Sequence, residues 1–282
     1  MSLPDSTFTF FKKFVHDNIA IVTISDTHSF MELKLKAYIR AHDVASIQEL
    51  MSILKLRKSS LVRESFLDHM TNNETLFFRD SIFFDTMKTG VIPALLESRK
   101  LQKKLTIWSA ASSSGQEIYS LMMLLLTHFP QLHHWDLKVI ATDISETMLE
   151  RCRQGLYSEL ELRRGLPDSL KSKYFRQEGR KWRIKSSLRE MVSFRRINLA
   201  KPWPRMPTVD LLLLRNVLIY FDLETKQEIL KRARFTLAED GYLALGGGET
   251  ALTLDNNLER VKFGATYLFR KKSPRSLLKK TA

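Results

Sequence analysis

The sequence predicts an α/β protein: a mostly parallel sheet covered on both faces, preceded by a small all-helical segment and interrupted by a small β insertion. Three observations carry this. From residue 105 onward, continuous apolar runs of strand length alternate with helical patterns. Strands apolar on both sides need cover on both faces, which is the mark of a parallel α/β sheet. Over residues 8–70, apolar positions recur at a helical period with no convincing strand. Between Arg151 and Lys201 a strongly basic stretch breaks the alternation and carries a hairpin signal. The division expected is a helical N-terminal domain over 1–75 and an α/β domain over 76–282, with the hairpin insertion around 160–190.

The elements follow in order. Phe30, Leu33, Tyr38 and Ile39 mark one helix, and Ile47, Leu50, Met51, Ile53 and Leu54 mark another behind Ser46. His42-Asp43 sits in the turn between them. LTIWSA (105–110) is a buried strand ending in small residues, and Ser112–Gly115 form a turn. Residues 117–129 form a helix with a broad apolar face. A second strand runs over 137–141 to Thr142-Asp143, and Ser145 caps the helix after it, with Glu146 in its first turn. Strands follow at 192–197 and 209–214. A helix over 223–238 stops at Asp240-Gly241, and a strand over 242–245 closes on three glycines. The runs near 261–263 and 267–270 pair antiparallel through Gly264. In the insertion, RQEGRKWRI turns at Gly179. His133-His134 fall in a loop, and Cys152 reads as a helix residue without redox purpose.

Charge narrows the partner class. The net charge is +14, and the 151–201 window holds 15 Lys/Arg against 5 Asp/Glu. Such a bias favours an acidic partner, whether nucleic acid, an anionic membrane or an acidic protein surface. The basic tail RKKSPRSLLKK and Lys34, Lys36, Lys55, Arg57 and Lys58 add to it. One cysteine excludes an internal disulfide framework. With no secretory signal pattern and no membrane-length apolar run, a cytoplasmic monomer without membrane insertion is expected.

Open α/β sheets bind ligands beyond the carboxyl ends of their strands. Three such ends carry chemistry here. SAASSSGQE (109–117) offers small residues for close backbone approach, and Glu117 in a helix start could receive an ammonium group. Asp143 stands where a carboxylate can accept from two ribose hydroxyls. Arg215-Asn216 follow LLLL directly. No G-x-G-x-x-G and no G-x-x-x-x-G-K-[ST] occurs, which disfavours dinucleotides and nucleoside triphosphates. A nucleoside without phosphates fits better. No metal-ligand spacing is apparent, and Ser112–Ser114 lack the G-x-S-x-G setting of a hydrolase nucleophile.

In order, NETLFFRD (73–80), WSAASSSGQEIYS (108–120), ATDIS (141–145), FRRINL (194–199) and LRNVLIYFD (214–222) resemble the CheR-type chemotaxis-receptor methyltransferases. The likeness is specific from about 73 to 271 and extends more faintly through the helical N-terminus. It implies a Rossmann-like S-adenosylmethionine-dependent methyltransferase sheet and transfer of a methyl group to glutamate carboxylates of a receptor's cytoplasmic helical bundle. The product is S-adenosylhomocysteine. It also implies roles. Asn73, Thr75 and Arg79 resemble the cofactor-facing segment, and Glu117 the carboxylate near the methionine end. Asp143 resembles the ribose acid, Asn198-Leu199 the pair at the adenine, and Arg215-Asn216 the pair after the fourth strand. Tyr220 resembles the tyrosine beside the transferred methyl, with Arg79 opposite.

The sequence departs from the family in three places. Serines replace a frequent cysteine in the first turn, Gln116-Glu117 replaces a double glutamate, and Ile118 stands where proline is common. The hairpin at Gly179 looks shorter than in members that dock a receptor's C-terminal peptide, so no peptide tether is expected. A nucleic-acid methyltransferase would explain the charge equally well, although no D/N-P-P-Y/F motif is present. A non-catalytic cofactor-sensing module is the other alternative.

Overall fold

The computed structural model describes residues 3–22, 27–56 and 60–272. Arg57, Lys58 and the basic tail beyond 272, all assigned above to an acidic partner, lie outside these residues. Four helices occupy the first seventy positions: α1 (Asp5–Ile19), α2 (His28–Ala41), α3 (Ile47–Lys55) and α4 (Ser60–Met70). Side-chain caps set two of their starts. The Thr27 hydroxyl accepts from the Phe30 N–H, and Ser46 accepts from Glu49 N–H while Glu49 reaches back to Ala45 N–H. Phe11, Val15, Met31, Leu35, Leu50, Leu54 and Phe66 are buried where the four helices meet.

One basic residue expected to face a partner is turned inward. The Lys34 ammonium donates to the carbonyls of Met70 and Thr71, at 3.1 Å each. It thereby satisfies carbonyls that the end of α4 leaves without helical partners. Desolvation holds its pKa below the usual lysine range. Lys36 pairs with Glu32, and Lys55 lies over the Phe10 ring.

Next come α5 (Ser81–Thr86), a π-helical turn over Met87–Val91 and α6 (Ile92–Ser98). The alternating part contains β1 (Lys104–Ala110), α7 (Gln116–His128), β2 (Asp136–Asp143) and α8 (Glu146–Gln154). The insertion contributes β3 (Leu156–Ser158), α9 (Glu159–Arg163), α10 (Asp168–Tyr174), β4 (Phe175–Glu178), β5 (Lys181–Ile184) and α11 (Ser186–Arg189). The chain then returns through β6 (Val192–Arg196), β7 (Val209–Leu214), α12 (Leu223–Thr236), β8 (Leu237–Leu245), β9 (Leu258–Phe263) and β10 (Thr266–Lys271).

The main sheet runs in the order β6-β2-β1-β7-β8-β10-β9. Its first five strands are parallel, and β10 lies antiparallel between β8 and β9. Successive strand residues face opposite sides. Ile107, Val139 and Leu211 pack on α5, α6, α7 and the insertion, whereas Trp108, Ile140 and Leu212 pack on α12 and the N-terminal helices. One apolar cluster is therefore continuous from Phe11 on α1 to Leu212 on β7.

Three expectations need correcting. The helix ending at 238 stops at Thr236, and Asp240-Gly241 lie within β8 instead of ending a helix. There the β7–β8 register shifts between Val209 and Leu211, and a side chain on Gly241 would meet the Val209 carbonyl at 2.9 Å. A bulge at that point reads in sequence as a turn. The insertion is a three-stranded sheet, β3-β5-β4, not a bare hairpin; β3 is too short to carry a periodic signal. His133-His134 belong to a short 3-10 turn over Pro130–His134.

Asp210 ties this bulge to the rest. Its carboxylate accepts from Arg99 Nε at 2.8 Å and from Thr106 N–H at 2.7 Å, and the same guanidinium pairs with Asp240. Asp210→Ala leaves a buried N–H and part of a guanidinium without a partner. It should cost about 3 kcal/mol in urea unfolding, with an unchanged m value.

Candidate active site

The strand order reverses at β1, whose neighbours are β2 and β7. Their carboxyl ends open into a cleft. Every site residue named from the sequence lines it: Asn73, Thr75, Arg79, Glu117, Asp143, Asn198, Leu199, Arg215, Asn216 and Tyr220. They come from five separate stretches of chain.

The floor is the turn after β1. Ala111 and Ser113 hold left-handed backbone, φ 58° and 49°. Such residues cost of order 1 kcal/mol each and cluster where function over-determines the backbone. Asp143 at the end of β2 locks this turn: one carboxylate oxygen accepts from Ser113 N–H at 2.8 Å and the other from Ser145 N–H at 2.9 Å. Burial pushes the Asp143 carboxyl up to about 6, and those N–H donors pull against the rise. Cys152 lies behind the same turn, its thiol donating to the Ser113 carbonyl at 3.1 Å. Burial pushes that thiol far up, so it stays protonated.

One wall is a charge network. Arg215, at the end of β7 and nearly fully buried, donates to Glu117 at 2.8 Å and to Asp80 at 2.9 Å. Its plane lies over the Phe83 ring at 3.8 Å, and its Nε has no partner. Glu117's other oxygen has only a 3.4 Å contact from the Ser109 hydroxyl. Asn216 follows with φ 58°. Glu249, just past the three glycines, accepts from Asn216 N–H and Gly246 N–H at 2.7 Å each. A side chain on Gly246 would collide with Asn216.

Asn198 is already engaged. Its amide donates to the Asn18 carbonyl and its oxygen accepts from Ala200 N–H, both at 3.0 Å. It fastens the loop after β6 to α1 and leaves Leu199 and Ile197 to form an apolar surface in the cleft.

The opposite wall is the 73–80 segment. The Asn73 carbonyl accepts from the Ser113 hydroxyl at 2.6 Å, which ties segment to floor. Phe78 and Asp80 adopt φ 48° and 71°. The insertion grips this segment directly. Phe77 is fully buried, edge-on to Tyr157 and Phe175. Gly165 has φ 112°, and any side chain there would lie 2.1 Å from the Phe77 carbonyl. Tyr157 donates to the Ser114 carbonyl at 2.6 Å. Arg79 hangs from the segment by a 3.4 Å bond to the Glu74 carbonyl. Burial raises the Tyr220 hydroxyl pKa, and the Arg79 charge and a hydrogen bond with Asn72 pull it back.

Several contributors escaped the sequence reading. Asp80 stood inside a quoted motif without a role. Asn72 and Glu249 carried no pattern signal. Ile19 and Ile21 also line the cleft, and Val22 N–H donates to the Tyr220 carbonyl at 2.8 Å. No local pattern reveals a contact spanning almost two hundred residues.

A parallel sheet with a nucleoside-sized cleft at its switch point, an acid closing the second strand and no phosphate-binding glycine turn defines a nucleoside-cofactor transferase domain. Residues 73–267 match the family described as CheR methyltransferase, SAM binding domain. The chain is 35% identical over 277 residues to chemotaxis protein methyltransferase 1 of Pseudomonas aeruginosa, spanning 96% of this chain and all of the relative. It is 33% identical to the chemotaxis protein methyltransferase Cher2 of Pseudomonas putida, with the same coverage. The corresponding protein of Borreliella burgdorferi is 31% identical, covering 90% of this chain and 91% of the relative. The chain belongs to the CheR methyltransferase family and is an S-adenosylmethionine-dependent methyltransferase. Among the described residues no helix is long and apolar enough to cross a membrane.

Gly165 gives this site a mechanical test. Gly165→Ala must displace the Phe77 carbonyl and adopt an unfavourable φ. It should lower stability by about 2 kcal/mol in urea unfolding and reduce methyl-transfer turnover more than cofactor affinity.

Proposed function

We propose that this enzyme methylates glutamate side chains of a chemotaxis receptor's cytoplasmic helical bundle, forming methyl esters and releasing S-adenosylhomocysteine. The observation that carries the reading is that Arg79 and Tyr220 line the same cleft, whose lining residues include no histidine or cysteine. A glutamate carboxylate, with a pKa of about 4.3, is already ionised and needs no base. What it needs is desolvation, charge compensation and alignment. The Arg79 guanidinium offsets the cost of bringing the carboxylate out of water. The Tyr220 hydroxyl, held protonated, donates a hydrogen bond to it and shapes the methyl passage.

The cleft also fits the cofactor, which supplies an electrophilic methyl on a sulfonium. Glu117 has an oxygen with spare accepting capacity for an ammonium group. Asp143 has two oxygens able to receive ribose hydroxyls. Leu199 and Ile197 offer an apolar bed for adenine, and Asn73, Thr75 and Asn216 bound the passage between. Asn198 acts by holding that bed in place. The basic insertion and the exposed cations of the N-terminal helices meet the acidic bundle. The insertion's hairpin has strands of only four residues, which supports docking without a peptide tether. Isothermal calorimetry with a receptor C-terminal pentapeptide should detect no binding; micromolar affinity would overturn that part.

Labelled methyl transferred from S-adenosylmethionine to receptor cytoplasmic fragments should be alkali-labile and leave as methanol. Alkali-stable label would sink the carboxylate reading. Arg79→Ala should lose about 100-fold in turnover or more while keeping the wild-type circular dichroism spectrum.

The Asp143 pKa sets a pH signature. Its folded value of about 6 lies above the ordinary aspartate range, so ionising it opposes folding, and the penalty is complete above pH 6. Hydroxyls donated into the carboxylate favour the ionised form. S-adenosylhomocysteine affinity should therefore fall about tenfold per unit as pH drops below 6. Asp143→Asn should bind weakly and without that slope.

A further inference from the structure

Arg215 is shared between two carboxylates, and that sharing has a chemical effect. A guanidinium facing Glu117 alone would cancel its charge. Here the same guanidinium also donates to Asp80, at 2.9 Å against 2.8 Å for Glu117. Two carboxylates around one cation leave one negative charge uncancelled. Asp80 is more than a third exposed, and water screens its share, whereas Glu117 is only 14% exposed and looks into the cleft. The uncompensated charge is therefore felt most strongly at the Glu117 oxygen that faces a ligand.

We infer that Asp80 is a positioning residue that divides Arg215's charge and so leaves Glu117 anionic enough to hold the cofactor's ammonium group. This rests on Glu117 being the ammonium receptor, as proposed above. Asp80 itself does not line the cleft and acts only through Arg215. It is also anchored for this task. Its other oxygen accepts from Phe83 N–H at 3.2 Å, capping α5, and its left-handed backbone turns the carboxylate back toward the strand end. Arg215 cannot swing to one partner, because its plane is held over Phe83.

Asp80→Asn removes the charge and keeps the shape. Asparagine caps helices as well as aspartate does and tolerates left-handed backbone. Two ligands are compared by calorimetry: S-adenosylhomocysteine and its deamino analogue, which lacks only the ammonium. In the variant, affinity for S-adenosylhomocysteine should fall about tenfold while the analogue stays within about twofold. An equal loss for both ligands means that Asp80 merely supports the fold of the site, and overturns the inference. A loss below about threefold for S-adenosylhomocysteine also overturns it. Glu117→Gln separates the two levels. It should narrow the same affinity ratio. If Glu117→Gln narrows the ratio and Asp80→Asn does not, the Asp80 inference alone fails. If Glu117→Gln leaves the ratio unchanged, the ammonium assignment fails with it.

Discussion

Burying a guanidinium is expensive unless carboxylates and an aromatic face replace the water it loses. Arg215 obtains two carboxylates and one aromatic face, and the partners it recruits come from different parts of the chain. Asp80 starts α5, Phe83 lies in that helix, and Glu117 opens α7. Pairing this one cation therefore fixes the end of β7, the start of the helix after β1 and the segment carrying Arg79. Glu249 does the same for the backbone just past Arg215, so the loop bearing Tyr220 leaves the strand in one defined direction.

The remaining rigidity is stored in unfavourable backbone. Phe78, Asp80, Ala111, Ser113 and Asn216 all hold positive φ around the cleft. Each would relax if its neighbours let it. The neighbours that prevent this are the Asp143 carboxylate, the Asn73–Ser113 bond and the insertion pressing through Gly165 and Phe77. The insertion thus braces the wall of the site from behind as well as presenting a basic surface.

Much of this was legible in the residues, for physical reasons. β1, β2 and β7 are continuous apolar runs because both faces are covered, and such runs announce themselves. Ser145 reads as a cap and acts as one. The cleft residues could be named because they sit at strand ends and inside long ordered motifs. What could not be read was of a different kind. The bulge at Asp240-Gly241 mimics a turn locally and is settled by pairing with Val209. Lys34 looks like a surface cation until α4 ends beside it. Asp80, Asn72 and Glu249 matter through partners remote in sequence, and no periodicity or spacing encodes such contacts.

The short pairing between the N-terminal segment and the active-site loop bears on modularity. Ile21 bridges Phe221, Val22 donates to the Tyr220 carbonyl, and Asn18 receives the amide of Asn198. The helices before residue 73 are therefore fitted into the catalytic half and are not carried on it as a detachable cargo. A chain cut back to begin at residue 73, where the match to the cofactor-binding family starts, would lose a side of its cleft. The cofactor-binding match, residues 73–267, is therefore smaller than the unit that builds the cleft. Exchange of the N-terminal helices between relatives, to redirect an enzyme to another receptor, would have to carry the residue 18–22 contact along with the surface.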